Sequence, residues 1–262
     1  MILLLCRVVL KTNMNIQNNN IQVKNISDEI WHIFESLKGF IPVEDFNVLL
    51  FLLSGYKDGL FDNLQPENRD VNYELISFYS GNSKYYNIFD VYSSIIKYIA
   101  SNQLNEIIFL FGKINQRELN INFPEIFDSL LYRLLNIQGR NSGEFIQPFE
   151  ISRLVMNVAN ISNDATIYNP FAGLASFATF LNSNQRYYGQ EINHKTWALG
   201  YLRLLAHDVE YFDYKLEDSL ANWNRFSEFD LIVCNPPFNL RISNTSFNRH
   251  NFSLESMIIE NG

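Results

Sequence analysis

Asp230-Leu231-Ile232-Val233-Cys234 runs without a break into Asn235-Pro236-Pro237-Phe238. Two consecutive prolines fix φ twice and remove two backbone donors. The residue before a proline is forced toward extended geometry. The apolar run therefore reads as a strand that ends in a rigid corner whose carbonyls stay free to accept hydrogen bonds. Asn235 adds an amide oxygen to that acceptor set, and Phe238 adds a flat apolar face. A stiff strand exit over a buried phenylalanine is the plainer reading of the same residues. The loops after the other strands decide between the two.

Those strands appear after Gly139-Arg140-Asn141-Ser142-Gly143, the clearest linker signal in the chain. Pro148 can occupy the first turn of a helix running to about Ala159. The pattern then predicts a strand over Ala165–Asn169, a small-residue helix over Gly173–Leu181, and a strand over Arg186–Gln190. A helix over His194–Ala206 and strands over Glu210–Tyr214 and Asp230–Cys234 complete it. Strands alternating with helices imply a mainly parallel sheet.

Upstream of the linker the periodicity is helical. Ser27 precedes Asp28, Glu29 and Ile30 as an N-cap, Ile30, Ile33, Phe34 and Leu37 share one face, and Gly39 stops the helix. Further helices are predicted over Val43–Leu53 (ending near Gly55), Val71–Tyr79, Ile88–Ala100, Leu104–Phe111 and Ile126–Leu135. Residues 11–26, rich in Asn and Gln, read as a lead-in. The expected organisation is thus a flexible segment 1–26, a helical domain 27–138 and an α/β domain 139–262.

Composition narrows the function classes. A chain of 262 residues that is 47% hydrophobic buries a sizeable core and is not disordered. Its net charge of -8 gives little attraction to nucleic-acid phosphates, so a DNA-handling role needs a local basic patch or a partner to supply cations. Cys6 and Cys234 are the only cysteines, which fits a reducing cytoplasm and argues against a disulfide scaffold. The four histidines do not join cysteines at metal-ligand spacing, so no zinc site is expected. Met1–Leu10 is too short to span a bilayer and lacks signal-peptide features. It reads as a frayed tail or as translation begun upstream of a start at Met14.

Ligands of open parallel sheets bind beyond the carboxyl ends of the strands. After the first strand stands Asn169-Pro170-Phe171-Ala172-Gly173-Leu174-Ala175-Ser176-Phe177, small enough to turn tightly and approach a ligand. A close-packed strand–helix turn explains it equally well. After the second strand, Glu191 and Ile192 follow Gly189 and Gln190, with Glu191 lying 22 residues beyond Asn169. An acid at about that distance is placed to hold ribose hydroxyls, or else simply stabilises the start of the next helix. After the third come Glu217, Asp218 and Ser219, where a carboxylate either accepts an adenine amine or is a solvated loop acid.

Taken together, these residues resemble the amino-methyltransferases. Asn235-Pro236-Pro237-Phe238 matches their Asn/Asp-Pro-Pro-aromatic motif, and Asn169–Phe177 their cofactor loop. Gly143-Glu144-Phe145-Ile146-Gln147-Pro148 is similar to a segment that closes over the cofactor in the modification subunits of type I restriction–modification systems. Tyr188–Asn193, Glu217–Leu220 and Leu37-Lys38-Gly39 resemble that family too. Gln147 stands where Thr is usual, Ile146 where an aromatic is usual, Asn169 where Asp is common, and Ala175 in place of a glycine. If φ at Ala175 is positive, the Cβ costs roughly 1 kcal/mol or more and the loop must shift.

The resemblance implies a Rossmann-like domain that binds S-adenosylmethionine and methylates N6 of adenine in DNA. It implies that Asn235, Pro236, Pro237 and Phe238 form the catalytic corner. It implies that the cofactor meets Glu144, Phe145, Ile146, Gln147, Pro148, Asn169, Pro170, Phe171, Gly173, Leu174, Ala175 and Ser176. Glu191 and Ile192 would hold its ribose side, and Asp218 and Ser219 its adenine. Implied partners are DNA, a specificity subunit and a restriction subunit. Arg241, Arg249 and His250, past the corner, either meet phosphates or are solvated. The family's sheet has seven strands and four are placed here, so the expectation is a fragment, impaired alone, that a chain carrying the missing strands would complete. Two other readings stand beside it: a non-catalytic docking remnant, and a methyltransferase acting on protein glutamine.

Overall fold

The computed structural model describes residues 20–62, 71–138, 147–222 and 228–236. The chain falls into two compact units. The first runs to Glu144 and includes Leu205–His207, and the second comprises the remainder.

The first unit is helical. Residues 20–36 form α1. A 3-10 turn, Val43–Asp45, leads into α2 (Asn47–Lys57). Then come α3 (Val71–Ser80), α4 (Tyr86–Ile96), α5 (Ser101–Phe111), α6 (Gln116–Ile121) and α7 (Phe123–Gln138). The centre is α2, where every residue from Asn47 to Gly55 is buried. A helix that is apolar all round can only sit inside a bundle. Tyr79 and Tyr92 stack on Phe51 at 4.1 and 4.4 Å between ring centroids, and Tyr85 meets it edge-on at 5.6 Å. The Tyr79 hydroxyl donates to the Phe51 carbonyl at 2.9 Å, so this buried phenol is satisfied.

The structure changes some of the sequence expectations here and adds to others. Ser27 is no N-cap: α1 begins at or before residue 20, and Ser27 is a fully buried mid-helix residue. The helix α2 ends at Lys57, near Gly55 as expected, and Gly55 is glycine because a Cβ there would sit 1.9 Å from the Tyr79 hydroxyl. The short helix α6, with Asn115 as its cap, has no counterpart among the expected elements.

The second unit begins with Pro148 as the N-cap residue of α8 (Phe149–Ala159). Four strands follow: β1 (Thr166–Asn169), β2 (Arg186–Glu191), β3 (Phe212–Leu216) and β4 (Leu231–Ile232). The helix α9 (His194–Ala206) links β2 to β3. The strands pair in the order β3-β2-β1-β4, and all three pairings are parallel. This is the α/β architecture expected, a helical unit followed by a four-stranded part of a Rossmann-like sheet. Among the described residues β4 lies at the edge, and its Ile232 is 56% exposed.

Side chains alternate across the pleat. Ile167, Tyr187, Gly189 and Tyr214 share one face. There α9 packs, and the Trp197 indole donates to the Tyr214 carbonyl at 3.0 Å. Tyr168 and Tyr188 take the other face, where Phe229 stacks on Tyr168 at 4.8 Å.

The small-residue helix expected over Gly173–Leu181 is not formed. Turns occupy most of it, and a single 3-10 turn, Ala178–Phe180, closes it. Gly173 at φ 53° and Ala175 at φ 54° are left-handed, which no right-handed helix accommodates.

Candidate functional site

In a parallel sheet every strand delivers its carboxyl end to the same edge. The order β3-β2-β1-β4 therefore sets Asp218, Glu191, Asn169 and Asn235 along one rim, each just past or at the end of neighbouring strands. Three strand spacings span this row, roughly 14 Å. The structure brings together the loops that the sequence singles out separately.

Glu191 is the hub. Its Oε2 accepts from the Gly173 N–H at 3.0 Å, and its Oε1 accepts from the Asn193 N–H at 2.8 Å. Asn193, whose Oδ1 accepts from Lys195 and Thr196 at 3.0 Å each, caps α9. Glu191 is thus not the helix cap, and its carboxylate fixes the turn after β1. An ionised carboxylate has about four acceptor positions, and these two bonds fill two of them.

The turn itself is tightly held. Asn169 is buried and its Oδ1 accepts from the Phe171 N–H at 3.2 Å. Leu174, Ala175 and Ser176 are buried, and the Leu174 carbonyl is taken by Arg203. Pro170, Phe171 and Gly173 are part-exposed, and a Cβ at Gly173 would meet nothing within 4 Å, leaving open space beside the turn. The positive φ at Ala175 carries the cost expected for a Cβ there, roughly 1 kcal/mol.

Asp218 is part-exposed. Its Oδ1 accepts from the Leu220 N–H at 2.9 Å, and Ser219 behind it is buried. Asn235 and Pro236 are exposed at the corner beyond β4. Ile192 is 68% exposed beside Glu191. Gln147 is buried with its Nε2 donating to Ser152 Oγ at 2.9 Å, just before Pro148 opens α8. Glu144, Phe145, Ile146, Pro237, Phe238, Arg241, Arg249 and His250 lie outside the described residues.

The chemistry of this rim is that of an acceptor. Glu191 and Asp218 carry carboxylates, Asn235 carries an amide, and the Gly173 N–H that a phosphate would want is already taken by a carboxylate. Such a rim repels phosphates and suits a ligand rich in hydroxyl and amino hydrogens, such as a ribose diol or an adenine amine.

Three residues escape the sequence reading. Arg203, 1% exposed, donates from Nη1 to the Leu174 carbonyl at 3.2 Å and to Ser176 Oγ at 3.0 Å. The Tyr214 hydroxyl donates to the Gly173 carbonyl, and burial pushes that phenol well above its ordinary value, so it stays a donor. Gly200 leaves room for both Gly173 and Tyr214. A signal for Arg203 does exist: it is a single cation in the apolar run Trp197–Ala206.

At the other end of β4, Asp230 ties the edge strand to β1. Its Oδ2 accepts from Thr166 N at 2.7 Å and from Thr166 Oγ1 at 2.8 Å. The Thr166 backbone and side-chain donors hold the Asp230 carboxyl below its ordinary value near 3.8. A depressed carboxyl stabilises fully above its unfolded pKa, and that stabilisation fades as pH falls through the folded value. Amide exchange at Val233, whose N–H donates to the Tyr168 carbonyl at 2.9 Å, should therefore be pH-independent in protection above that ordinary value and lose protection below it. The Asp230→Asn variant should lose the pH dependence.

The N-6 DNA Methylase family model matches residues 120–261. The chain is 22% identical over 206 residues to the type I restriction enzyme MpnII methylase subunit of Mycoplasma pneumoniae, covering 69% of this chain and 38% of that protein. It is 30% identical over 155 residues to the type I restriction enzyme MjaVII methylase subunit of Methanocaldococcus jannaschii, covering 52% of this chain and 26% of that one. The chain thus spans well under half the length of these curated relatives. Its fold matches the type I restriction-modification system methyltransferase subunit from Streptococcus thermophilus with a TM-score of 0.59 at 14% identity, over 84% of this chain and 64% of that one. A modification subunit of a putative type I restriction enzyme from Vibrio vulnificus matches with a TM-score of 0.52 at 16% identity, over 86% and 62%. The chain belongs to the N-6 DNA methylase family.

Proposed function

We propose that this chain is the nucleoside-binding and catalytic portion of a type I modification subunit, which moves a methyl group from S-adenosylmethionine to N6 of adenine in DNA. The observation that carries the reading is the row Asp218–Glu191–Asn169–Asn235 along one rim of a parallel sheet. The acceptor chemistry of that row fits the cofactor: Glu191 would bind the ribose hydroxyls, Asp218 the adenine amine, and the turn at Gly173 would lie against its amino-acid arm.

When bound, S-adenosylmethionine supplies an electrophilic methyl group. The chain's own work is to orient the acceptor. The N6 amine of adenine is a weak nucleophile because its lone pair is delocalised into the ring. The Asn235 amide oxygen and the Pro236 carbonyl would accept the two N6 hydrogens, which turns the lone pair toward the methyl. N6 gains the methyl and gives up one proton to water, and the sulfonium charge is discharged. The rigid Asn-Pro-Pro corner supplies preorganised dipoles, with no covalent intermediate. Phe238 would stack on the adenine, which must first leave the duplex.

With a net charge of -8 the chain needs a local basic patch, such as Arg241 and Arg249, or a partner for phosphate contacts. We place it with a specificity subunit, a restriction subunit and DNA, in the cytoplasm. The assay that tests this supplies labelled S-adenosylmethionine with duplex DNA and with a glutamine-bearing protein acceptor. Label at adenine N6 supports the reading. Label in protein alone assigns the corner to glutamine, and no label in either acceptor, with partners present, leaves a docking remnant.

A further inference from the structure

We propose that Arg203 is a positioning residue: from the buried side of α9 it holds the turn after β1 in the strained shape that meets the cofactor. The proposal rests on the reading of that turn as the cofactor turn.

A guanidinium stays charged at any ordinary pH and is expensive to bury, so it persists in a core only where its donors are well met. Arg203 heads the largest fully buried side chains. One of its nitrogens reaches two acceptors that flank a single residue, the Leu174 carbonyl at 3.2 Å and Ser176 Oγ at 3.0 Å. The residue between them is Ala175, fully buried at φ 54°. An alanine does not adopt that backbone unless its surroundings impose it. Neighbouring contacts act on nearby Gly173: Glu191 takes its N–H, and the Tyr214 hydroxyl meets its carbonyl. Side chains from β2, β3 and α9 thus fix the turn from Gly173 to Ser176, and Arg203 is the one whose bonds flank the strained alanine on both sides. A glycine at 175 would adopt the same φ unaided. Arg203 therefore matters because Ala175 is not glycine.

This makes the test a double-mutant cycle. Arg203→Met keeps length and packing but donates nothing, and Ala175→Gly removes the strain. We expect Arg203→Met to weaken S-adenosylmethionine binding about tenfold or more by calorimetry, and the double variant to recover most of that loss. An arginine that only fills the core would show no rescue by Ala175→Gly, and that result overturns the proposal, as does unchanged binding in Arg203→Met. Should Arg203→Met not fold, Arg203→Lys runs through the same cycle. The cycle is also read in the melting temperature without ligand. If the wild-type chain binds no S-adenosylmethionine, the cofactor reading fails, while coupling between positions 203 and 175 in the melting temperature still upholds the positioning role and additivity there refutes it.

Discussion

Gly200→Ala should lower the melting temperature of the sheet unit by roughly 5–10 °C, the response of a domain this size to about 1–2 kcal/mol of overpacking. Helix propensity alone predicts the opposite sign, because alanine is favoured over glycine by about 1 kcal/mol in a helix interior. The reversal comes from contact. A Cβ at Gly200 would stand 2.7 Å from the Gly173 carbonyl oxygen, 2.9 Å from the Tyr214 hydroxyl and 3.0 Å from a Tyr214 ring carbon. The first is backbone, and it belongs to the turn fixed by Glu191 and Tyr214. Either α9 moves off the sheet or the turn shifts, and S-adenosylmethionine binding falls with it. Gly81→Ala, where the nearest atom is 3.5 Å away, is the control and should leave the melting temperature unchanged.

Asn235→Ala should reduce DNA methylation about 10²- to 10³-fold, the scale on which removing one preorganised group from a reacting centre acts. The assay is transfer of labelled methyl to DNA in the presence of the proposed partners. Asn235 is exposed beyond β4, so the substitution should leave the melting temperature alone. Its proposed contact is with the acceptor base and not the cofactor, so S-adenosylmethionine affinity should change less than about threefold, the pattern of an interaction made in the transition state. Asn235→Asp keeps an acceptor oxygen and should retain more activity than Asn235→Ala. Wild-type methylation by Asn235→Ala would remove the corner from the mechanism.

Legibility in the sequence tracks the range of the interactions. The α9 boundaries, His194–Ala206, coincide with the expected ones because its apolar spacing is local. The start of α8 is legible from Pro148, and the strands from short β-prone runs. The stretch Gly173–Leu181 misleads, since small residues read as helix formers. What shapes it is a carboxylate, a phenol and a guanidinium that lie 18, 41 and 27–29 residues away along the chain. At Gly55 the demand for glycine likewise comes from a distant residue, Tyr79 on another helix. Of the candidate site, the loops are visible as motifs. Their convergence on one rim requires the strand order, and the buried supports Arg203, Tyr214 and Gly200 require the packing of α9.

Calorimetric titration of the chain with S-adenosylmethionine, repeated for Glu191→Ala and Asp218→Ala, puts the shared rim to the most direct trial. The account predicts one cofactor per wild-type chain and at least tenfold weaker binding in each variant, the loss of a charge-assisted hydrogen bond, with the helical and sheet signals in circular dichroism intact. Variants that bind the cofactor as the wild type does would contradict it.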